Sequence, residues 1–197
     1  MRTLVVTQNI TVDGVVEAAG GWFDPTADGF ADVQEAVRRQ AAASDAFLVG
    51  RRTFEDMRGF WPKRPDDTTG VTDHLNRVAK YVVSRSMADP GWAGTTVLRG
   101  DLVDAVTALK EAPGADIVST GSITLVHDLV RHGLVDEFRL FVHPVVLGAG
   151  RRLFEDATGL GRLRLLEARS FASGVVLQRY CAHGQGDKDV AVTGGPR

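Results

Sequence analysis

Until about residue 133 this chain alternates short β-rich runs with stretches of helical periodicity, and beyond that point strand follows strand. Parallel strands cannot be joined by tight hairpins, so strand-helix alternation implies crossover connections and a parallel sheet covered on both faces. Adjacent strands after residue 133 add antiparallel pairs at one end of it. The expected class is therefore α/β, three layers deep, with a mostly parallel central sheet and antiparallel C-terminal strands.

The individual runs set the order. Thr3 to Ile10 is strand-like, extended by Thr11 and Val12 to the Asp13-Gly14 turn signal, and Val15-Val16 predicts a short return strand. Residues 18 to 29 hold three glycines and Pro25, which predicts a loop. Phe30, Val33, Val37 and Ala41 recur at helical spacing up to about Ser44. Ala46 to Val49 has the length of a buried parallel strand, and Arg51 to Met57 the pattern of the following helix. A short helix over 72–79, strands at Tyr81 to Val83 and Thr95 to Leu98, and a helix capped by Asp101 and stopped by Pro113-Gly114 continue the alternation. Ile117-Val118 leads into Thr120-Gly121-Ser122 and a last helix ending at Gly133. Glu137 to Val146, Leu163 to Arg169 and Val175 to Tyr180 are the final strands. Residues 1–183 read as one domain, and 184–197 (GQGDKDVAVTGGPR) as a disordered tail with little to bury.

Composition narrows the partners. With 23 basic and 25 acidic residues the net charge is -2, which leaves no electrostatic footprint for nucleic acid or an anionic membrane. Cys181 is the sole cysteine, so an intrachain disulfide is excluded and a reducing compartment is expected. The opening Met-Arg-Thr runs into a strand rather than an apolar signal stretch, and no run has the ~18 apolar residues of a membrane span. A cytoplasmic protein is the expectation. The five histidines show no metal-ligand spacing, so no metal is expected.

Ligands of open α/β sheets bind where strands end and helices begin. Three such corners stand out. In Leu48-Val49-Gly50-Arg51-Arg52-Thr53 a strand meets a glycine and then a helix opening with two arginines and a threonine. Unpaired N–H groups of a first helical turn suit a phosphate, and arginine adds bidentate charge-assisted bonds. Ser84-Arg85-Ser86 sets a guanidinium between hydroxyls at a strand end. Thr120-Gly121-Ser122-Ile123 lets backbone approach a ligand closely at a helix start. Each is equally a description of an ordinary turn with solvated arginines; their order along one α/β chain is what carries weight.

The blocks TQNITVDGVV (7–16), LVGRRTFE (48–55), VSRS (83–86), VSTGS (118–122) and LVDEFRLFVHP (134–144) together resemble the dihydrofolate-reductase-like superfamily. They are most similar to the branch holding the C-terminal reductase domain of the bifunctional riboflavin-biosynthesis protein, as are Gly133 to Glu137 and Gly148-Ala149-Gly150 with Leu153-Phe154. The resemblance spans residues 3 to 182. It implies NADPH as cofactor: Gly50, Arg51, Arg52 and Thr53 at its phosphates, Ser84 and Arg85 at the adenosine 2′-phosphate, and Gly121, Ser122 and Ile123 beneath the pyrophosphate and nicotinamide ribose. The 2′-phosphate adds about two charges that NADH lacks, so two arginine-bearing corners favour NADPH. The family usually carries Gly-Gly at the third corner, often with a cis bond. Here the pair is Thr120-Gly121, and a cis bond, if kept, is expected between these two.

Reduction by NADPH also needs a proton source. Folate reductases carry an acid shortly after a tryptophan, at the start of the first long helix. Here Trp22 is followed by Asp24 and Asp28, with Asp28 at the closer spacing. Asp28 is equally a helix-start anion. Asp13 is the second catalytic candidate and equally a turn residue. Trp22 and Asp24 are the substrate-binding candidates, Trp22 as a cover for a planar ring. His143, before Pro144, is a pocket candidate or a satisfied strand histidine.

The resemblance implies reduction of a small planar nitrogen heterocycle. The nearest family reaction is that of 5-amino-6-(5-phosphoribosylamino)uracil. A true dihydrofolate reductase and a non-catalytic NADPH-binding module are the alternatives. A homodimer is a further expectation, because members of the branch commonly pair and an apolar edge strand at 138–146 would need cover.

Overall fold

A computed structural model describes residues 1–17, 21–23, 29–64, 66–67, 69–155 and 160–182. Eight strands form one sheet: β1 (Leu4–Thr11), β2 (Ser44–Gly50), β3 (Ala79–Val83), β4 (Thr95–Leu98), β5 (Asp116–Ser119), β6 (Glu137–His143), β7 (Arg164–Ser170) and β8 (Val176–Cys181). Their spatial order is β4-β3-β2-β5-β1-β6-β8-β7. The first six are parallel, while β8 runs antiparallel to β6 and β7 antiparallel to β8. β5 threads between β2 and β1, so the connections leaving β2 and β5 diverge from neighbouring strand ends. Crevices at such a switch point are where open α/β sheets bind ligands.

The helices α1 (Ala31–Ala42), α2 (Arg51–Phe60), α3 (Val71–Arg77), α4 (Leu102–Glu111) and α5 (Ile123–Arg131) cover both faces. β2 shows why its sequence is continuously apolar. Ala46 and Leu48 pack with Val106 and Leu109 of α4 and with Leu125, Val126 and Leu129 of α5. Phe47 and Val49 point the other way, to Phe54 of α2, Leu75 of α3 and Trp92. A third cluster joins Val33 and Ala36 of α1 to Phe141, Phe171 and Leu177. α4 and α5 thus lie on one face, and α1, α2 and α3 on the other.

Lys80, fully buried on β3, fastens α3 to the sheet. Its Nζ donates to the carbonyls of Leu75 (2.6 Å) and Val78 (2.9 Å) and stands 4.9 Å from the Trp92 ring centre. A buried ammonium is tolerable only when its protons are taken up in this way. At the end of α4's loop, Asp101 caps as expected, accepting from the N–H groups of Val103 and Asp104.

Four local expectations are corrected. Val15 and Val16 form no return strand; Val15 closes the turn onto Thr11 and makes a lone antiparallel bridge to Arg152, so the segment continues into a distant loop rather than into a hairpin ladder. β2 begins at Ser44, directly after α1, rather than at Ala46. β6 stops at His143, because Pro144 has no N–H for a ladder. Nor is β6 an edge: β1 and β8 flank it. The edge on that side of the sheet is β7, beyond β8, and its Leu165 and Leu166 are exposed. The tail at 184–197 lies outside the described residues.

Candidate functional site

Gly50 ends β2 and Ser119 ends β5, on adjacent parallel strands, so α2 and α5 begin side by side at one sheet edge and then part to opposite faces. Their starts are laced together. The Gly50 N–H donates to Ser122 Oγ (3.0 Å), and the Ser122 N–H donates to Thr53 Oγ1 (3.0 Å). Gln8 on β1 grips the corner from beneath: its side-chain amide donates to the Gly121 carbonyl (2.9 Å), and its oxygen accepts from the Gly121 N–H (3.1 Å). A buried glutamine satisfied on both atoms fixes a peptide at a stated orientation, which an apolar residue there would not do.

The Thr120-Gly121 bond is trans, and no described bond is cis. Instead the chain turns with Gly121 at φ 58° and Ser122 at φ 44°, two successive left-handed residues. That geometry makes the corner without a cis bond, and it explains the glycine: a Cβ on Gly121 would stand 3.1 Å from Thr53 Cγ2.

Above the corner lies a cleft of about 580 Å³. Gly50, Arg51, Arg52 and Thr53 line it from α2, and Gly121, Ser122, Ile123, Thr124 and Leu125 from α5. Neither helix has a side-chain N-cap, which leaves the first-turn N–H groups of both without a side-chain partner beside this space. Each helix start carries the equivalent of roughly half a positive charge. Two guanidiniums are exposed beside them: Arg51, in a 3.6 Å surface pair with Glu55, and Arg52. A third, Arg151, also lines the cleft and donates from Nη2 to Thr124 Oγ1 (3.1 Å). Glu17 and Asp56 also line the cleft.

The structure therefore brings the first and third corners into one cavity. The second flanks it. Val83 pairs with Gly50 in register, so Ser84 and Arg85 follow at the same sheet edge, one strand outward. Arg85 is exposed, whereas Ser84 is buried and its Oγ accepts from the N–H groups of Ser86 (3.3 Å) and Met87 (3.1 Å). The Ser84 hydroxyl shapes the turn that presents Arg85.

Asp13, by sequence a catalytic candidate or a structural turn residue, makes the contacts of the latter. Its carboxylate accepts from Thr11 Oγ1 (2.6 Å) and from the N–H groups of Leu147 (3.3 Å) and Gly148 (2.8 Å), with Arg152 at 3.8 Å. The Thr11 hydroxyl bond and the Gly148 bond hold its pKa at about 2, below the ordinary 3.8. A carboxylate so held has no proton to give near neutrality; it ties the end of β1 to the 147–152 loop. Because the folded pKa is the lower one, the stabilisation is present above about pH 4 and disappears as pH falls towards 2. The melting-temperature gap between wild type and Asp13→Asn is expected to be constant from pH 5 to 8 by this account and to close below about pH 4. A gap independent of pH down to the acid limit would contradict it.

Asp24 and Asp28 lie outside the described residues. Trp22 lies within them, its indole N–H donating to the Glu17 carbonyl (2.8 Å) and its ring 5.3 Å from that of His143. Gln8, Glu17, Asp56, Thr124, Leu125 and Arg151 are site residues that sequence reasoning missed. Gln8 had a signal: it interrupts the inward apolar series Leu4, Val6, Ile10. Arg151 had only its place after Gly148-Ala149-Gly150. No group of acidic, histidine or cysteine side chains among the described residues is arranged to hold a metal, and no helix among them is long and apolar enough to cross a membrane.

An α/β sheet of this order, with a cleft at the switch point, defines a protein of dihydrofolate-reductase-like fold. The chain belongs to the RibD C-terminal domain family, whose pattern matches residues 2–177. Among its relatives, the uncharacterized protein YyaP of Bacillus subtilis (strain 168) is 33% identical over 182 residues, covering 89% of this chain and 92% of YyaP. A pyrimidine reductase-like protein from Corynebacterium diphtheriae NCTC superposes with a TM-score of 0.66 at 17% identity, covering 93% of this chain and 92% of its own. The Thermotoga maritima diaminohydroxyphosphoribosylaminopyrimidine deaminase/5-amino-6-(5-phosphoribosylamino)uracil reductase does so with 0.66 at 14% identity, covering 92% of this chain and 57% of its own. At these identities the structural likeness speaks for the fold, and membership rests on the family match.

Proposed function

We propose that this chain is an NADPH-dependent reductase of a small planar nitrogen heterocycle. One observation carries the reading: two helix starts, with their free N–H groups, and three arginines converge on a single cleft at the sheet's switch point. Such a concentration of donors around one cavity suits a pyrophosphate. The backbone of Arg51 to Thr53 and of Ile123 to Leu125, with the side chains of Arg51, Arg52 and Arg151, would hold it. Arg85, exposed at the adjoining strand end, is suited to the adenosine 2′-phosphate. NADPH, when bound, supplies the hydride. The protein's part is to fix the dinucleotide through the Gln8-braced corner and to orient an acceptor beside it. Family membership and the names of the reductase neighbours support the 5-amino-6-(5-phosphoribosylamino)uracil type of substrate.

A non-catalytic NADPH-binding module is the second reading, favoured by the engagement of the Asp13 carboxylate with Thr11, Leu147 and Gly148. Loss of reduced-nicotinamide absorbance across a panel of pyrimidines and pterins separates the two, since a module binds NADPH without consuming it.

The cofactor assignment is tested by thermal melts in buffer, NADH and NADPH. At a hundred times its dissociation constant NADPH stabilises by ~2.7 kcal/mol. For a chain of this size that is a rise of roughly 5–10 °C. NADH is expected to give less at equal concentration, and Arg85→Ala to narrow the difference. A preference unchanged by that substitution removes Arg85 from the site, and no NADPH shift at all removes the reading.

A further inference from the structure

On the face that carries α1, the ends of β1 and β6 hold a polar group that packing does not call for. His143 closes β6, in register with Thr11, and is 3% exposed. The rings of Trp22 and Phe23 meet it edge-on, each at 5.3 Å and 80°, and Phe30 stacks on it at 6.0 Å and 19°. These three aromatics are only half-buried. Phenylalanine would fill such a box with no polar atom to satisfy, so an imidazole here incurs a desolvation cost that packing alone does not repay.

The imidazole is held in one tautomer. Its Nε2 lies 3.0 Å from Asn9 Oδ1, an oxygen that only accepts, so Nε2 carries the proton and Nδ1 is left as an acceptor. Burial lowers the pKa of His143, which keeps the ring neutral near pH 7. The box is tied to the cleft through one residue. Trp22 is bonded to the Glu17 carbonyl, and Glu17 lines the cavity under the two helix starts.

We propose that His143 is a specificity-determining residue, whose Nδ1 accepts an N–H of a planar nitrogen heterocycle packed against Trp22 and Phe30, with Asn9 fixing the tautomer. The assignment rests on the reductase reading for its neighbour, the bound dinucleotide, but not for its own chemistry. It names an aromatic box with one acceptor nitrogen, which selects aminopyrimidine-like rings over rings lacking N–H donors.

Calorimetric titration of the full chain, with and without NADPH, tests it. The probes are 2,4-diaminopyrimidine, 5,6-diaminouracil and pterin, which carry N–H donors, and 1,3-dimethyluracil, which carries none. Wild type is expected to bind at least one donor-bearing ring about tenfold or more tighter than dimethyluracil, the discrimination one good buried hydrogen bond gives. His143→Phe is expected to lose that preference while keeping its melting temperature and its NADPH-induced shift; His143→Gln, which retains an acceptor, is expected to restore part of it. A folded His143→Phe that discriminates as wild type does would overturn the proposal, as would a wild type without preference. Should His143→Phe not fold, Asn9→Ala takes its place: a narrowed preference supports the assignment and an unchanged one overturns it. A wild type that selects donor-bearing rings yet shows no NADPH shift contradicts the reductase reading and leaves His143 in its role.

Discussion

Replacing Arg51 and Arg52 together with alanine is expected to weaken NADPH binding on the order of 100-fold while leaving the unliganded protein almost as stable as before. The asymmetry follows from where the two side chains sit. Both are exposed on the first turn of α2 and line the cleft, and the contact they make within the chain is a surface pair between Arg51 and Glu55. A surface pair one helical turn apart is worth about 0.3–0.5 kcal/mol. Charge-assisted hydrogen bonds to a phosphate contribute about 1.5–3 kcal/mol each. Losing two at the lower figure is about 3 kcal/mol, close to two decades in dissociation constant. Titration calorimetry and a melt without nucleotide measure both halves. A double variant that binds NADPH as tightly as wild type would remove α2 from the phosphate site.

Gly121→Ala is expected to damage stability and binding together. The residue is held at φ 58°, where a side chain costs about 1–2 kcal/mol. Its new Cβ would also press on Thr53 Cγ2 at 3.1 Å, and overpacking of that kind costs about 1–3 kcal/mol. The sum of about 2–5 kcal/mol corresponds to a fall of roughly 4–20 °C in melting temperature. Binding suffers because any relief moves Thr53, whose hydroxyl holds the Ser122 N–H. Gly133→Ala is the control: at φ 64°, with nothing within 4 Å of its Cβ, it has the backbone strain alone. Thr53→Ser keeps the hydroxyl and removes the clashing methyl, so it should recover part of the Gly121→Ala loss but none of the Gly133→Ala loss. Equal recovery in both would refute the contact argument.

The architecture was readable because local signals agreed. Buried strands such as Phe47 to Val49 are short and continuously apolar only when both faces are covered, and the helices between them left no hairpin pairing open. Gly50 to Thr53 and Gly121 to Ile123 could be picked out as corners for the same reason: strand, glycine and helix start are contiguous in sequence. What joins these corners is not. Gln8 reaches Gly121 across 113 residues, and Arg151 reaches Thr124 across 27, both contacts set by strand order rather than by any local pattern. Asp13 looked available because a turn aspartate shows its sequence neighbours and not the N–H groups of Leu147 and Gly148 brought to it from 134 and 135 residues away. The predicted β6 edge failed likewise. An apolar strand announces that it needs cover, but not that β8 will provide it.

A crystal structure with NADPH bound tests most directly whether the paired helix starts grip a dinucleotide. The account predicts the pyrophosphate oxygens within hydrogen-bonding distance of N–H groups from both the Arg51–Thr53 and the Ile123–Leu125 turns, with Arg85 at the 2′-phosphate. A nucleotide bound elsewhere, or held by one of the two turns with the other facing solvent, would contradict it.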